Sequence, residues 1–200
     1  MVPAIVPIVE GHAEQESVAV LVRRGLERLG ALHVQVSRPF RLPKSRMERQ
    51  GELPRAIQLA SADRPGAQAL LVLCDADDDC PVTLARLLRD HAKGATDKPV
   101  CVVVAERELE AWFLGAKRSL RGVRGIRSDA ESHAAPQSVR GAKERLSSNM
   151  AAGRRYLEVD DQPALAAKVD FEEARQACSS FDKFLRDVEE LIVTMGGADR

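Results

Sequence analysis

The sequence predicts an α/β fold: a mostly parallel four-stranded sheet flanked by helices, followed by a C-terminal helical extension. Three observations carry this. Short runs rich in Val, Ile and Leu recur at residues 4–9, 31–36, 69–74 and 100–105, as expected of strands buried on both faces. Amphipathic stretches of helical period separate these runs, and helices between strands imply parallel pairing with right-handed crossovers. After Ala105 the strand signal stops and helical periodicity returns.

The first run, from Met1 to Val9, has no basic leader and no small-residue cleavage site, so it reads as a strand and not as a signal peptide. Residues 16–29 place Val18, Val22, Leu26 and Leu29 on one helical face, and Gly30 is positioned to cap that helix. The second strand follows at 31–36. A helix over 52–62 leads to the third strand, and a helix over 81–92 starts with Pro81 at its first position and an Asp just ahead. After the fourth strand, residues 106–114 read as a helix and the Gly/Arg/Ser-rich stretch 115–136 as a long loop. Helices are expected over 138–150, 162–169, 171–178 and 180–195. The last carries Phe181, Phe184, Leu185, Val188, Leu191 and Ile192 in a stripe of about three turns, too short for a coiled coil. The expected division is an α/β core at 1–115 and a helical subdomain packed on it at 116–200.

Composition narrows the function. Lys+Arg and Asp+Glu both number 30, so the net charge is zero and any polyanion binding must come from local segregation of charge. No apolar run reaches the roughly 18 residues of a membrane span; no membrane contact and a cytoplasmic address are expected. Cys74, Cys80, Cys101 and Cys178 show no C-x-x-C spacing and read as reduced, buried packing residues.

The chemistry gathers at strand ends, where open parallel sheets bind their ligands. The first run ends in Glu10-Gly11-His12-Ala13-Glu14, the third in Asp75-Ala76-Asp77-Asp78-Asp79, and the fourth in Glu106-Arg107-Glu108-Leu109-Glu110. Carboxylates brought to one edge raise each other's proton affinity unless a cation neutralises them. Hard oxygen ligands suit Mg²⁺ or Mn²⁺. In an extended segment Asp75 and Asp77 share a face, and Gly11 permits a tight turn at which backbone N–H groups approach an anion. His12, inside that turn, can donate to a phosphate or serve as a local hydrogen-bonder. Acidic residues near helix starts also act as caps or solvated charges, the reading given to Asp78, Asp79 and Glu16.

The order strand-Glu10-Gly11-x-x-Glu14, then strand-Asp75-x-Asp77, resembles the TOPRIM domain of topoisomerases, primases and OLD-type nucleases. The segments IVEGHAEQESV, LVLCDADDD and ERELEAWFLG, with the helical tail, look like an uncharacterised bacterial family with a TOPRIM-like core. The resemblance implies a TOPRIM-like, Rossmann-like sheet and a setting in phage defence beside an ATPase partner. It implies Glu10 as the acid/base or metal-adjacent carboxylate, Glu14 as a metal ligand, Asp75 and Asp77 as ligands of the catalytic ion, and Glu108 or Glu110 as a further one. A helping lysine is implied too, with Lys143 and Lys168 both available. The third-motif Asp of topoisomerase-type domains is not evident, so strand passage is not implied.

Three basic runs offer phosphate contacts: residues 38–55, including Arg41, Lys44 and Arg46; residues 117–127; and residues 140–155, including Lys143. Aromatic side chains are scarce, so contacts to a nucleic-acid backbone with little base readout are expected, and Trp112 and Phe113 read as core. The leading functional reading is a Mg²⁺- or Mn²⁺-dependent nuclease cleaving DNA or RNA, with a homodimer allowed. The alternative is a catalytically degenerate interaction protein that docks on an ATPase partner.

Overall fold

The computed structural model describes residues 2–64 and 66–197, and it is an α/β sandwich. Strands β1 (Ala4–Val9), β2 (Gln35–Val36), β3 (Phe40–Arg41), β4 (Ala67–Asp75) and β5 (Val100–Ala105) form one all-parallel sheet in the order β2-β1-β4-β5, with β3 also pairing with β1. Helices α1 (His12–Arg28), α2 (Lys44–Met47), α3 (Glu52–Asp63) and α4 (Pro81–Ala92) connect the strands. The remaining helices are α5 (Glu110–Gly115), α6 (Ala142–Ser148), α7 (Glu158–Ala166), α8 (Phe171–Ala177) and α9 (Ser179–Gly197).

Alternation along the central strands assigns the two faces. Ala69, Leu71 and Leu73 of β4 belong to one apolar cluster with α1, α5 and α9; Leu70, Val72 and Cys74 belong to the other with α3 and α4. The first cluster runs without a break from the sheet into the C-terminal helices, so residues before and after Gly115 share one core. Its densest part is aromatic: Trp112 meets Phe181 edge-on at 5.1 Å between ring centroids, and its indole N–H donates to Ser180 Oγ at 2.8 Å. Both Trp112 and Phe113 are fully buried, as expected for core residues.

The expected second strand is shortened for two reasons. Gly30, at φ +68°, ends α1 in a Schellman motif, with Ala31 N–H donating to Leu26 O and Gly30 N–H to Glu27 O. Residues 31–34 are therefore committed to that cap and the turn after it. Pro39 then interrupts the edge strand, because it has no N–H for the ladder, and β3 resumes the pairing with β1 beyond it. The sheet consequently has five short-to-medium strands where four were expected.

Three further differences bear on the site. The helix expected from Glu106 begins only at Glu110, since Arg107 adopts φ +63° and residues 106–109 fold back on the end of β4. The stretch expected as a long loop contains 3-10 turns at Lys117–Leu120 and Val123–Gly125, and Ile126 bridges to Met150. Cys80, expected to be buried, is exposed just before α4; the other three cysteines are buried or half-buried.

Candidate metal centre

Glu10, Glu14 and Asp75 converge beyond the carboxyl ends of β1 and β4, and each offers an oxygen within 4.8 Å of the others. Each position has a local cause. Glu10 leaves β1 at its last step, and its Oε2 accepts the Asp75 N–H at 3.3 Å, tying the two strand ends together. Glu14 lies in the first turn of α1 on the helix face that also carries Ser17, Val18 and Leu21, so helix packing buries it. Asp75 ends β4, and its Oδ1 accepts the Leu109 N–H at 2.8 Å from the segment that folds back.

Gly11 keeps the space beside the backbone open for the Glu14 side chain. Its backbone is extended (φ −111°, ψ 177°), which any residue adopts, but a Cβ there would lie 2.2 Å from Glu14 Oε2. The glutamate carboxylate occupies that space, and its Oε2 is buried without a hydrogen-bond partner among the described residues. An unpartnered buried carboxylate oxygen is costly.

Electrostatics agrees. Burial, then the neighbouring Glu14, pushes the Glu10 carboxyl up to about 7. Burial, then Glu110 and Glu10, holds the Asp75 carboxyl well above the usual range. Glu110, the first residue of α5 and fully buried, is pushed up to about 7 by burial, against the opposing charge of Lys143. Its Oε1 accepts from Tyr156 Oη at 2.9 Å and from Gln162 Nε2 at 3.0 Å, and Ser17 Oγ donates to Gln162 Oε1 at 2.6 Å. Glu110 Oε2 has no hydrogen-bond partner among the described residues. The three converging carboxylates, one of them with an orphaned buried oxygen, are a set of hard oxygen donors that fits a divalent cation of the Mg²⁺ or Mn²⁺ class.

The remaining expected site residues are placed differently. Asp77 does not share a face with Asp75: the chain turns at φ +52°, leaving the Asp77 side chain 62% exposed in an ion pair with Lys44 at 3.0 Å. Lys44 Nζ also reaches Asp79 at 2.9 Å and Ala76 O at 2.7 Å. Glu108 Oε1 accepts the Ala142 N–H at the start of α6 at 2.9 Å, so it caps a helix, while Glu110 lies outside the triad and acts on Asp75 through its charge. Arg46 pairs with Glu52, and Arg41 is exposed on β3. Lys143 pairs with Glu158 at 2.8 Å and lies close enough to Glu110 and Asp75 for both to raise its proton affinity against the cost of its burial. Lys168 is exposed.

Sequence reasoning missed Ser17, Tyr156 and Gln162. A signal existed for two of them: Ser17 follows Glu14 on an apolar helix face, and Gln162 precedes Leu165 and Ala166 on another. Tyr156 is buried and donates to a carboxylate, the setting of an orienting group and not of an exposed nucleophile.

A family model described as "Domain of unknown function (DUF4276)" matches residues 9–189. Among solved structures, the C-terminal region of the Xanthomonas campestris pv. campestris OLD protein is similar at a TM-score of 0.47 and 14% identity, covering 96% of this chain and 97% of that one. No curated protein matches the chain. Among the described residues, no helix is long and apolar enough to cross a membrane.

Proposed function

The chain belongs to the DUF4276 family, and from that premise we propose that it is a divalent-metal-dependent phosphodiesterase acting on nucleic acid. The observation that carries the proposal is the buried triad Glu10, Glu14 and Asp75, with ligand atoms within 4.8 Å and Glu14 Oε2 left without a partner. These three residues would hold Mg²⁺ or Mn²⁺, which supplies Lewis acidity toward a phosphoryl oxygen.

The protein's own groups have separable tasks. Glu10 accepts the Asp75 N–H on Oε2, which leaves Oε1 to take the proton of an attacking water. Tyr156 and Gln162 hold Glu110 by its Oε1. Lys143, coupled to Glu110 and Asp75, balances negative charge that grows on the phosphoryl group. Asp77, exposed and paired with Lys44, would be available as a ligand only if that pair opened. Residues 1–115 thus carry the acidic chemistry, and residues 116–200 supply its second layer. An ATPase partner and a cytoplasmic setting in phage defence belong to this proposal on the strength of the sequence resemblance alone.

The competing reading, a degenerate interaction protein, draws support from Lys44, whose ammonium already neutralises Asp77 and Asp79. Incubation of supercoiled plasmid with purified protein and Mn²⁺ separates the two. Nicking by wild type and its loss in Asp75→Ala/Asp77→Ala support the enzyme; equal nicking by both, or none by wild type, overturns it.

A further inference from the structure

The basic runs 117–127 and 140–155, which the sequence offers for phosphate binding, meet in the fold. Ile126 bridges to Met150, and the Arg127 N–H donates to Asn149 O at 3.0 Å. Most of their cations are engaged within the molecule: Arg118, Arg121, Arg124, Arg140, Lys143 and Arg154 all pair with carboxylates. Lys117 and Arg145, one from each run, have no such pair among the described residues, and Asn149 ties them together. Lys117 Nζ donates to Asn149 Oδ1 at 3.1 Å, and Asn149 Nδ2 donates to Arg145 O at 2.6 Å.

Lys117 is only 4% exposed, and a lysine is almost never buried without a charged partner. Its ammonium has three protons to donate, yet Asn149 Oδ1 is the one acceptor it meets among the described residues. Burial, then the charge of Arg145, pushes this ammonium below the usual lysine value; Glu131 opposes the shift and Arg127 adds to it. The two nearby carboxylates are already committed, Glu131 to Arg121 and Asp129 to Arg127. Lys117, Arg121, Arg127 and Arg145 therefore set four positive charges against two negative ones. A buried cation with one neutral partner and cationic neighbours is costly by itself, and an anion offsets that cost.

We infer that Lys117, Arg127 and Arg145, held together by Asn149, bind the phosphate group of a phosphate monoester. The charge excess selects the ligand, because a phosphodiester carries a single negative charge and a monoester about two near pH 7. Arg127 and Arg145 are exposed, and their planar guanidinium groups suit bidentate contact with phosphate oxygens, while Lys117 supplies a compact charge. The group can belong to the end of a nucleic-acid strand or to a free nucleotide. The site shares no residue with Glu10, Glu14 and Asp75, so the inference goes beyond the nuclease reading and does not depend on it.

The test is isothermal titration of the full chain, in EDTA and at constant ionic strength, with inorganic phosphate as the simplest group of that charge. One phosphate per chain is expected, with Kd raised at least tenfold in Lys117→Met and in Arg145→Ala. Lys117→Met keeps an unbranched side chain and removes the buried charge, so in phosphate-free buffer it is expected to melt no lower than wild type. Arg145 is exposed, and a thermal melt confirms that its truncated variant folds. Competition then separates the two sources: displacement of phosphate by a 5′-phosphorylated oligothymidine marks a strand end, and displacement by thymidine monophosphate alone marks a free nucleotide. No phosphate binding by wild type, a Kd within twofold of wild type in both folded variants, or equal competition by unphosphorylated oligothymidine overturns the site. The nuclease reading fails on a different measurement, the absence of Mn²⁺-dependent nicking by wild type.

Discussion

Replacing Glu14 by Gln removes one charge from the buried triad while keeping side-chain volume, and the expected outcome is a protein that is more stable without metal and indifferent to it. Two unit charges within 4.8 Å of each other repel by at least about 3 kcal/mol at an effective dielectric constant near 20. Glu14 Oε2 additionally lacks any donor among the described residues, whereas the amide of Gln can donate to Glu10 or Asp75. Allowing for relaxation and an imperfect amide fit, about 2 kcal/mol of stabilisation is expected at pH 8 in EDTA, or a Tm rise of roughly 4 to 8 °C for a chain of this size. Wild type should gain about 2.7 kcal/mol from Mn²⁺ at 100 times its Kd, and Glu14→Gln should gain close to nothing. Differential scanning fluorimetry of both proteins in EDTA and in Mn²⁺ provides the four Tm values. A variant that melts below wild type in EDTA, or that keeps the full Mn²⁺ shift, refutes the assignment of Glu14 as a metal ligand.

Other consequences follow from the same cluster and its supports. Glu10 and Glu110 hold their protons up to about 7 in the folded state but only to about 4.3 when unfolded, so between these values the folded state binds more protons. Metal-free stability should therefore fall as pH rises from 5 to 8, by on the order of 3 kcal/mol per group at most, and urea melts in EDTA that show a steady rise over this window would contradict it. Gly11→Ala should weaken Mn²⁺ binding in calorimetric titration while leaving secondary structure intact, because its Cβ forces Glu14 Oε2 to shift; an unchanged Kd would show that the Glu14 position is not needed for the ion. Tyr156→Phe should cost about 1 to 2 kcal/mol, since it leaves Glu110 Oε1 with one donor fewer; an unchanged urea midpoint would show that the hydroxyl does not support Glu110. Trp112→Ala, at the centre of the aromatic cluster, should cost about 3 to 5 kcal/mol by urea denaturation.

The helices and strands legible in the sequence are those whose signal is local. Residues 4–9 and 100–105 stand out because both faces of the strand are covered, and Pro81 marks the first turn of α4 by its own chemistry. What escaped depends on contacts distant in sequence. The second strand yields to the cap at Gly30 and the missing N–H of Pro39, and the helix from Glu106 loses its first turn to Leu109, which folds back to bind Asp75 across 34 residues. In the site, Glu10, Glu14 and Asp75 were legible because strand ends and a first helical turn are placed by topology. Asp77 was not, because a left-handed turn cannot be read from Asp-Ala-Asp. The orientation of Glu110 depends on Tyr156 and Gln162, 46 and 52 residues away, and no spacing rule reaches that far.

The central claim is that Glu10, Glu14 and Asp75 hold a divalent cation, and anomalous diffraction from a Mn²⁺-soaked crystal tests it most directly. The account predicts an anomalous peak bounded by one oxygen from each of the three carboxylates, lost in crystals of Glu14→Gln. No peak at the triad, or a peak only beside the exposed Asp77 and Asp79, would contradict it.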